Sequence, residues 1–160
     1  MASPSWITKI LDDAGLRYLK RQHPSARTAA EVARFEHTSG VRFGKVVVVI
    51  ADKHAVLLVM PSYAHVDEDR ARFLLRAKEL RLARARDIDE RLPGAPAGTT
   101  PPLRHWPHVD IWMDPLLEHE GPFVFQAGTH EDAIEVDFKD WKRLVHPKVG
   151  VFVQPTYIGV

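Results

Sequence analysis

KVVVVIADKHAVLLVM, residues 45–60, consists of two apolar runs joined by a short polar segment. The runs Lys45–Ala51 and Ala55–Met60 have the length of β-strands, and neither alternates with polar residues. Asp52-Lys53-His54 separates them and is typical of a turn. The stretch therefore predicts a β-hairpin whose strands are buried on both faces.

Helices and further strands are predicted on both sides of this hairpin. Ile7, Ile10 and Leu11 have helical spacing, Gly15 is a stop signal, and an edge strand over Arg17–Arg21 follows. Side-chain caps and apolar spacing predict the remaining elements. The helices are one begun by the capping box Thr28-Ala29-Ala30-Glu31 and continued by Val32 and Phe35, one from Asp67 to about Lys78, a short one over Arg86–Arg91, and one capped by Asp137 with Phe138, Trp141, Leu144 and Val145 facing inward. The strands lie over His108–Trp112, Phe123–Gln126, Ala133–Asp137 and Gly150–Gln154.

The order of these elements indicates the fold class. Strands and helices are mixed without regular βαβ alternation, which favours an α+β or mixed-sheet α/β domain. Pro93–Pro102 contains four prolines and two glycines, so it is neither helix nor central strand. The segments on either side of it are too small and too poor in strands to stand alone. We therefore expect one domain over residues 1–160, with Pro93–Pro102 as an internal loop.

Composition excludes several classes of protein. The chain has 160 residues, 45% of them hydrophobic, and no cysteine, which rules out disulfides, thiolate zinc sites and a cysteine nucleophile. No apolar run approaches the ~20 residues needed to cross a bilayer, and Met1–Lys9 lacks a signal-peptide core. We expect a soluble, cytoplasmic protein without a membrane partner.

Basic residues are concentrated in one region, although the net charge of the chain is only +1. Arg70–Arg91 contains eight basic residues, among them Arg70, Arg72 and Arg76, and four acidic ones. The region could contact phosphates, or it could be a solvated surface with intrahelical ion pairs. The sequence leaves both interpretations open.

Three features could carry chemistry. Lys45 begins an apolar strand, where its ammonium could reach water or face a pocket and hold a phosphate or a carbonyl oxygen. The string Gly98-Thr99-Thr100-Pro101-Pro102 could present backbone N–H groups to an oxygen, or be a plain surface loop. His130, after Gly128-Thr129, could donate to a substrate or simply lie in a turn.

Taken in order, these strings resemble the YbaK and prolyl-tRNA editing family. The matching pieces are His23-Pro24 with Thr28–Ala33, the lysine-bearing strand, the G-x-x-x-P loop over 98–102 and the Ala-Gly-Thr-His string over 127–130. The resemblance implies a central, largely closed mixed sheet surrounded by helices. It also implies an aminoacyl-tRNA deacylase that needs no cofactor, with Lys45, Gly98 and His130 as catalytic residues. Thr99, Thr100, Pro101, Pro102, Gly128 and Thr129 would contact the substrate.

Departures from the family pattern support a second hypothesis. Many relatives have a polar residue where this chain has Val46, an aromatic residue and glycine where it has Leu103-Arg104, and glycine where it has Ala127. Val46 and the Leu103-Arg104 loop exit favour a catalytically weak module that binds aminoacyl-tRNA or a protein, whereas Ala127 makes the match around His130 imperfect. In the deacylase hypothesis the partners are an aminoacyl-tRNA, whose 3′ acceptor end carries the ester, and an aminoacyl-tRNA synthetase. Arg70, Arg72 and Arg76 would bind the acceptor stem of the tRNA.

A metal site is the third hypothesis, and the weakest. His105, His108 and Asp110 are suitable ligand types. In a strand, however, His108 and Asp110 would share one face and His105 would lie on the other. By the same alternation we expect that Lys45 and Val46 cannot both face one pocket unless the strand is irregular.

Overall fold

The computed structural model describes residues 3–22 and 40–155. The capping box at Thr28 and the strings His23-Pro24 and Thr28–Ala33 lie outside the described residues. Within those residues, one mixed sheet of eight strands packs with four α-helices and a 3₁₀ turn. The predicted mixed α/β class is confirmed.

The bounds of the elements are as follows. The helices are α1 (Ser5–Asp13), α2 (Glu68–Leu74), α3 (Ala85–Arg91) and α4 (Phe138–Val145), with a 3₁₀ turn over Pro115–Leu117. The strands are β1 (Tyr18–Gln22), β2 (Arg42–Ala51), β3 (His54–Pro61), β4 (Leu80–Leu82), β5 (Asp110–Met113), β6 (Pro122–Gln126), β7 (Asp132–Asp137) and β8 (Lys148–Val149).

β2 and β3 form the predicted hairpin at the centre of the sheet. They are antiparallel, with Ala51 opposite His54, and both turn residues, Asp52 and Lys53, have positive φ. This is the geometry of a two-residue hairpin loop. The strand order is β1-β7-β6-β2-β3-β5-β8, and β4 pairs with β2 away from this path. The pairs β2–β6, β3–β5 and β5–β8 are parallel.

Apolar clusters on the two faces of the sheet explain the unbroken apolar runs. Val48 and Ile50 pack into one cluster with residues of α1, α3 and α4, whereas Val49 and Ala51 pack into another with Ala71 of α2. Alternate residues of β2 thus point into different clusters. The prediction that the hairpin is buried on both faces is confirmed.

Side-chain caps locate two of the helices as predicted. The carboxylate of Asp67 accepts a hydrogen bond from Arg70 N at 3.1 Å, and that of Asp137 accepts one from Lys139 N at 2.9 Å. α2 ends at Leu74, so the prediction that it continues to Lys78 is wrong. Arg76 takes a positive φ of 53° just beyond it, and the chain then forms β4, which the sequence analysis missed.

Two predicted strands also differ from the structure. β5 begins at Asp110 rather than His108, because His108 has a φ of 62° and lies in a turn. The short final strand β8 precedes the predicted Gly150–Gln154. Only Val153 in that range forms a bridge, with Val66. The buried carboxylate of Asp114 instead accepts hydrogen bonds from Phe152 N at 2.9 Å and Val153 N at 3.1 Å.

Candidate active site

A gap in the sheet lies beside β2, on the side opposite β3. There β6 pairs with Arg42 and Phe43, while β4 pairs with Val49 to Ala51. Between these two contacts, no described strand pairs with residues 44–47 on that side. The parallel strands β2 and β6 separate toward their carboxyl ends, where open α/β sheets commonly bind ligands.

A cavity of about 200 Å³ lies at this gap. Three segments line it: β2, the loop before β5 and the end of β6. The lining residues are Gly44, Lys45, Val46, Gly98, Thr100, Pro102, Phe125 and Gln126. The structure thus brings Lys45 together with three members of the predicted loop. Gly44, Phe125 and Gln126 were not predicted as site residues, although their positions beside Lys45 and before the Ala-Gly string were a usable signal.

Lys45 is the one charged residue in this lining. Its side chain is partly buried, and desolvation lowers the pKa of its ammonium below the usual value for lysine. It forms no ion pair within the part of the chain that the structure describes. A lysine in this position can attract a phosphate or a carbonyl oxygen.

Val46 lines the same cavity, contrary to the expectation that Lys45 and Val46 cannot share one pocket. The alternation of side chains itself holds, because Val46 packs against the same apolar cluster as Val48 and Ile50. The cavity, however, lies at the edge of the strand rather than on one face of it. Both neighbours therefore line it.

Tryptophan side chains hold the loop against the rest of the protein. The indole N–H groups of Trp6, Trp106 and Trp141 donate to the carbonyl oxygens of Gly94, Pro93 and Pro102 at 3.1, 2.9 and 2.8 Å. Trp141 is fully buried in α4. Three donors from separate parts of the chain thus fix an irregular segment that makes few backbone hydrogen bonds of its own.

Within the loop, Thr99 and Thr100 have different environments. The hydroxyl of Thr99 donates to Pro96 O at 2.7 Å, and its carbonyl accepts from Gly128 N at 3.1 Å, so Thr99 supports the loop. Thr100 lines the cavity, and its hydroxyl is buried and has no hydrogen-bond partner among the described residues. A buried hydroxyl without a partner costs stability unless a bound group supplies one. Thr100 is therefore placed to contact a ligand.

The remaining loop residues are also structural in part. Pro101 is buried, and Pro102 both lines the cavity and accepts the Trp141 hydrogen bond. At the loop exit, Leu103 is fully buried, and Arg104 donates to Val145 O and His146 O at 2.5 and 3.0 Å. These two bonds satisfy carbonyls at the end of α4.

The turn between β6 and β7 carries His130 next to the loop. Gly98 has a φ of 85°, and a Cβ placed there would lie 3.3 Å from Cε1 of His130. His130 is solvent-exposed and lies beside Gly98 without lining the cavity. The structure therefore places Lys45 and Gly98 in the cavity and His130 at its edge.

Gly128 and Thr129 build this turn. Gly128 has a φ of 84°, and a Cβ there would lie 2.4 Å from Pro4 Cδ, so only glycine fits against α1. The Thr129 hydroxyl donates to the carboxylate of Asp132 at 2.6 Å and accepts from Asp132 N at 2.9 Å. Neither residue lines the cavity. We conclude that both orient the turn that carries His130.

The three predicted arginines lie on another surface. Arg70 and Arg76 line a shallow groove with Asp69, Phe73, Leu74 and Val151. Phe73 projects from α2 with 86% of its surface exposed. Arg70 and Arg72 make loose ion pairs with Asp67 and Asp69 at 3.7 and 3.8 Å. The predicted ion pairs exist, but at these distances they leave the guanidinium groups accessible to a further partner.

His105, His108 and Asp110 do not come together. The ring of His105 stacks on Trp6 with centroids 3.8 Å apart, and Asp110 pairs with Lys148 at 3.5 Å. No group of three potential metal ligands occurs among residues 3–22 and 40–155. In the same ranges, no helix is long and apolar enough to cross a membrane.

Comparisons with known proteins identify the family. Residues 23–144 match the model of the aminoacyl-tRNA editing domain. The proline–tRNA ligase of Caldicellulosiruptor saccharolyticus is 30% identical over 120 residues, which are 74% of this chain and 20% of the ligase. That of Caldicellulosiruptor bescii is 29% identical over 120 residues, with the same coverage of 74% and 20%. The chain thus spans about a fifth of the length of these curated relatives.

A solved structure supports the same assignment at the level of the fold. It is described as a putative trans-editing enzyme for prolyl tRNA synthetase, and it is 22% identical with a TM-score of 0.78. The alignment covers 97% of this chain and 100% of that one. The chain belongs to the aminoacyl-tRNA editing domain family.

Proposed function

We propose that this chain is a trans-acting aminoacyl-tRNA deacylase, which hydrolyses the ester between a wrongly attached amino acid and its tRNA. The observation that carries the proposal is the partly buried Lys45, which faces the loop over Gly98 and Thr100 across the cavity. Membership of the editing family and the likeness to a putative trans-editing enzyme support it. The protein would act in the cytoplasm as one domain, without a membrane partner or a metal ion.

The size of the cavity suggests which part of the substrate enters it. Its volume of about 200 Å³ lies below the range of roughly 300–1,000 Å³ that is usual for sites holding a whole small molecule. It suits a small aminoacyl group, with the terminal ribose at the mouth near Gly98 and His130. The adenine and the rest of the acceptor end would lie outside.

The chemistry requires positioning more than a strong nucleophile. The aminoacyl ester is activated, so a water molecule can attack its carbonyl carbon once water and ester are held together. The Lys45 ammonium would polarise the carbonyl oxygen or hold the adjacent phosphate, and Thr100 would hydrogen-bond the substrate. His130 would orient a group at the mouth, and the ribose hydroxyl next to the ester could assist the water.

The groove beside α2 is the proposed contact for the acceptor stem. The arginines of the groove suit phosphates, and the exposed ring of Phe73 suits a nucleobase. A neutral protein surface would match this groove less well as a partner. Arg70, Arg72 and Arg76 would supply the phosphate contacts. An aminoacyl-tRNA synthetase that delivers the mischarged tRNA is a further candidate partner.

The deciding experiment is a deacylation assay over a panel of mischarged tRNAs, with purified protein in limiting amounts. We expect loss of the amino acid from at least one small-residue aminoacyl-tRNA, well above spontaneous hydrolysis. A Gly98→Val variant should be slower, since a β-branched side chain would crowd the space beside His130, and it should also lose thermal stability, because a β-branched residue is strained at the Gly98 φ of 85°. Tight binding of aminoacyl-tRNA without turnover of any member would favour the binding-module alternative.

A further inference from the structure

The direction of the Val46 backbone follows from the register of the hairpin. In a two-residue hairpin the two residues that flank the loop form a hydrogen-bonded pair, which here is Ala51 with His54. Every second residue of β2 before Ala51 is hydrogen-bonded to its partner in β3 in the same way. Val46 lies opposite Val59 in a non-hydrogen-bonded pair. Its N–H and C=O therefore point away from β3, as the Val48 carbonyl does where it accepts from Ala83 N at 2.9 Å.

No described strand receives these groups. β6 pairs with β2 only at Arg42 and Phe43, and the contact with β4 and Ala83 begins at Val48. Val46 falls between the two and lines the cavity. Its backbone is an exposed sheet edge, which can add a hydrogen-bonded ligand as it would add a strand.

The loop across the cavity has few N–H groups to offer. Pro101 and Pro102 have none, and Thr99 N already donates to Pro96 O at 3.1 Å. Within Gly98–Pro102 only Gly98 and Thr100 retain an N–H that could reach a substrate. The loop therefore offers at most two backbone donors, and the edge of β2 offers another.

The polarity of the cavity determines which substrate atom fits the Val46 N–H. The lining residues include one cation, Lys45, and no carboxylate. A positive charge there stabilises an oxygen that gains negative charge. The Val46 N–H and the Lys45 ammonium belong to consecutive residues, so both can approach one oxygen at the strand edge.

We propose that the Val46 N–H is the backbone donor that stabilises the ester carbonyl oxygen during deacylation, a role that rests on the proposed function. The water oxygen adds to the carbonyl carbon, and the π electrons of the carbonyl bond move to the carbonyl oxygen. The carbonyl oxygen then accepts hydrogen bonds from Val46 N–H and Lys45. The electrons return as the carbon–oxygen bond to the ribose breaks. The ribose oxygen leaves with a proton from the attacking water, which yields free amino acid and tRNA.

Two substitutions at one position separate the N–H from the side chain. Val46→Pro removes the N–H but keeps the β2–β3 ladder, because this N–H is not part of it. Val46→Ala shortens the side chain and keeps the N–H. We expect Val46→Pro to lower kcat by about 10²-fold, with KM changed less than threefold, as for loss of an oxyanion donor. Val46→Ala keeps this donor, so its kcat should exceed that of Val46→Pro by at least about tenfold.

Thermal unfolding and tRNA binding of both variants show whether they are folded. If Val46→Pro is unfolded, an amide-to-ester replacement at Val46, which installs the α-hydroxy acid of valine, removes the same N–H with the side chain intact. If wild type is active but the protein without the Val46 N–H has the same kcat as Val46→Ala, the assignment of Val46 is overturned. An inactive wild type would instead refute the deacylase function itself.

Discussion

Gly44→Ala tests whether β2 and β6 cross as closely beside the cavity as the structure indicates. A Cβ at Gly44 would lie 2.3 Å from Cε1 and 2.7 Å from Cζ of Phe123. Ordinary carbon–carbon contact is about 3.5–4.0 Å, so the ring would have to move by roughly 1 Å. It cannot do so freely, because Phe123 is fully buried and packs against Trp141 with ring centroids 5.0 Å apart.

The cost of this overpacking follows from that geometry. Forcing an additional methyl group into a packed core costs about 2 kcal/mol. For a protein of this size, the change corresponds to a fall in Tm of roughly 4–8 °C. Chemical denaturation and calorimetry of the purified variant measure both quantities.

A double-mutant cycle with Phe123→Leu isolates the clash from other effects. Leucine is smaller than phenylalanine, so it should make room for the new methyl group. The double variant should then be less destabilised than the sum of the single variants by at least about 1 kcal/mol. Effects that add within about 0.5 kcal/mol would show that residues 44 and 123 do not compete for this space, and the placement of β6 beside the cavity would be wrong.

Three further predictions concern the loop, an ion pair and the basic groove. Trp141→Phe keeps an aromatic ring but removes the indole donor to the loop and leaves space in the core, so it should cost at least about 1–2 kcal/mol in urea unfolding and also slow deacylation. Unchanged turnover would show that the loop needs no such anchor. The Arg81 guanidinium donates to the two carboxylate oxygens of Asp87 at 2.6 and 2.9 Å and holds the pKa of this carboxyl below its usual range. Asp87 therefore stabilises the fold above its unfolded pKa of about 4, and this stabilisation is lost as the pH falls through its folded pKa. The stability deficit of Asp87→Asn should therefore shrink between pH 7 and pH 2, and a constant deficit would contradict the ion pair. Arg72→Glu with Arg76→Glu should raise KM more than it lowers kcat and reduce the salt dependence of tRNA binding, whereas an unchanged slope would make this groove a solvated surface only.

Local signals in the sequence predicted the elements that local interactions determine. The hairpin follows from two apolar runs and a polar turn, and the starts of α2 and α4 follow from the capping carboxylates of Asp67 and Asp137. The end of α2 was misjudged because Arg76 adopts a positive φ that its residue type does not indicate. β4 was missed because three residues carry too little pattern, and it exists through pairing with β2.

The candidate site was predictable only in part, because its shape depends on long-range contacts that local sequence signals do not show. Lys45 and the glycine–proline loop were identified from family-like strings, and the structure places them around one cavity. The gap beside β2 depends on where β6 and β4 stop pairing, which is a long-range property. The supporting role of Thr99 also depends on partners distant from any motif, since its carbonyl meets Gly128 N across the fold.

The most direct test of the central claim is the deacylation rate of Lys45→Ala, compared with wild type and with Lys20→Ala. Lys20 is an exposed lysine on the edge strand β1, so its removal controls for the loss of one positive charge. We predict that Lys45→Ala lowers kcat/KM by at least about tenfold, equivalent to about 1.4 kcal/mol of barrier, while its fold and the activity of Lys20→Ala are retained. Full activity in a folded Lys45→Ala protein would contradict the account, because the cavity beside β2 would then not be where the ester is hydrolysed.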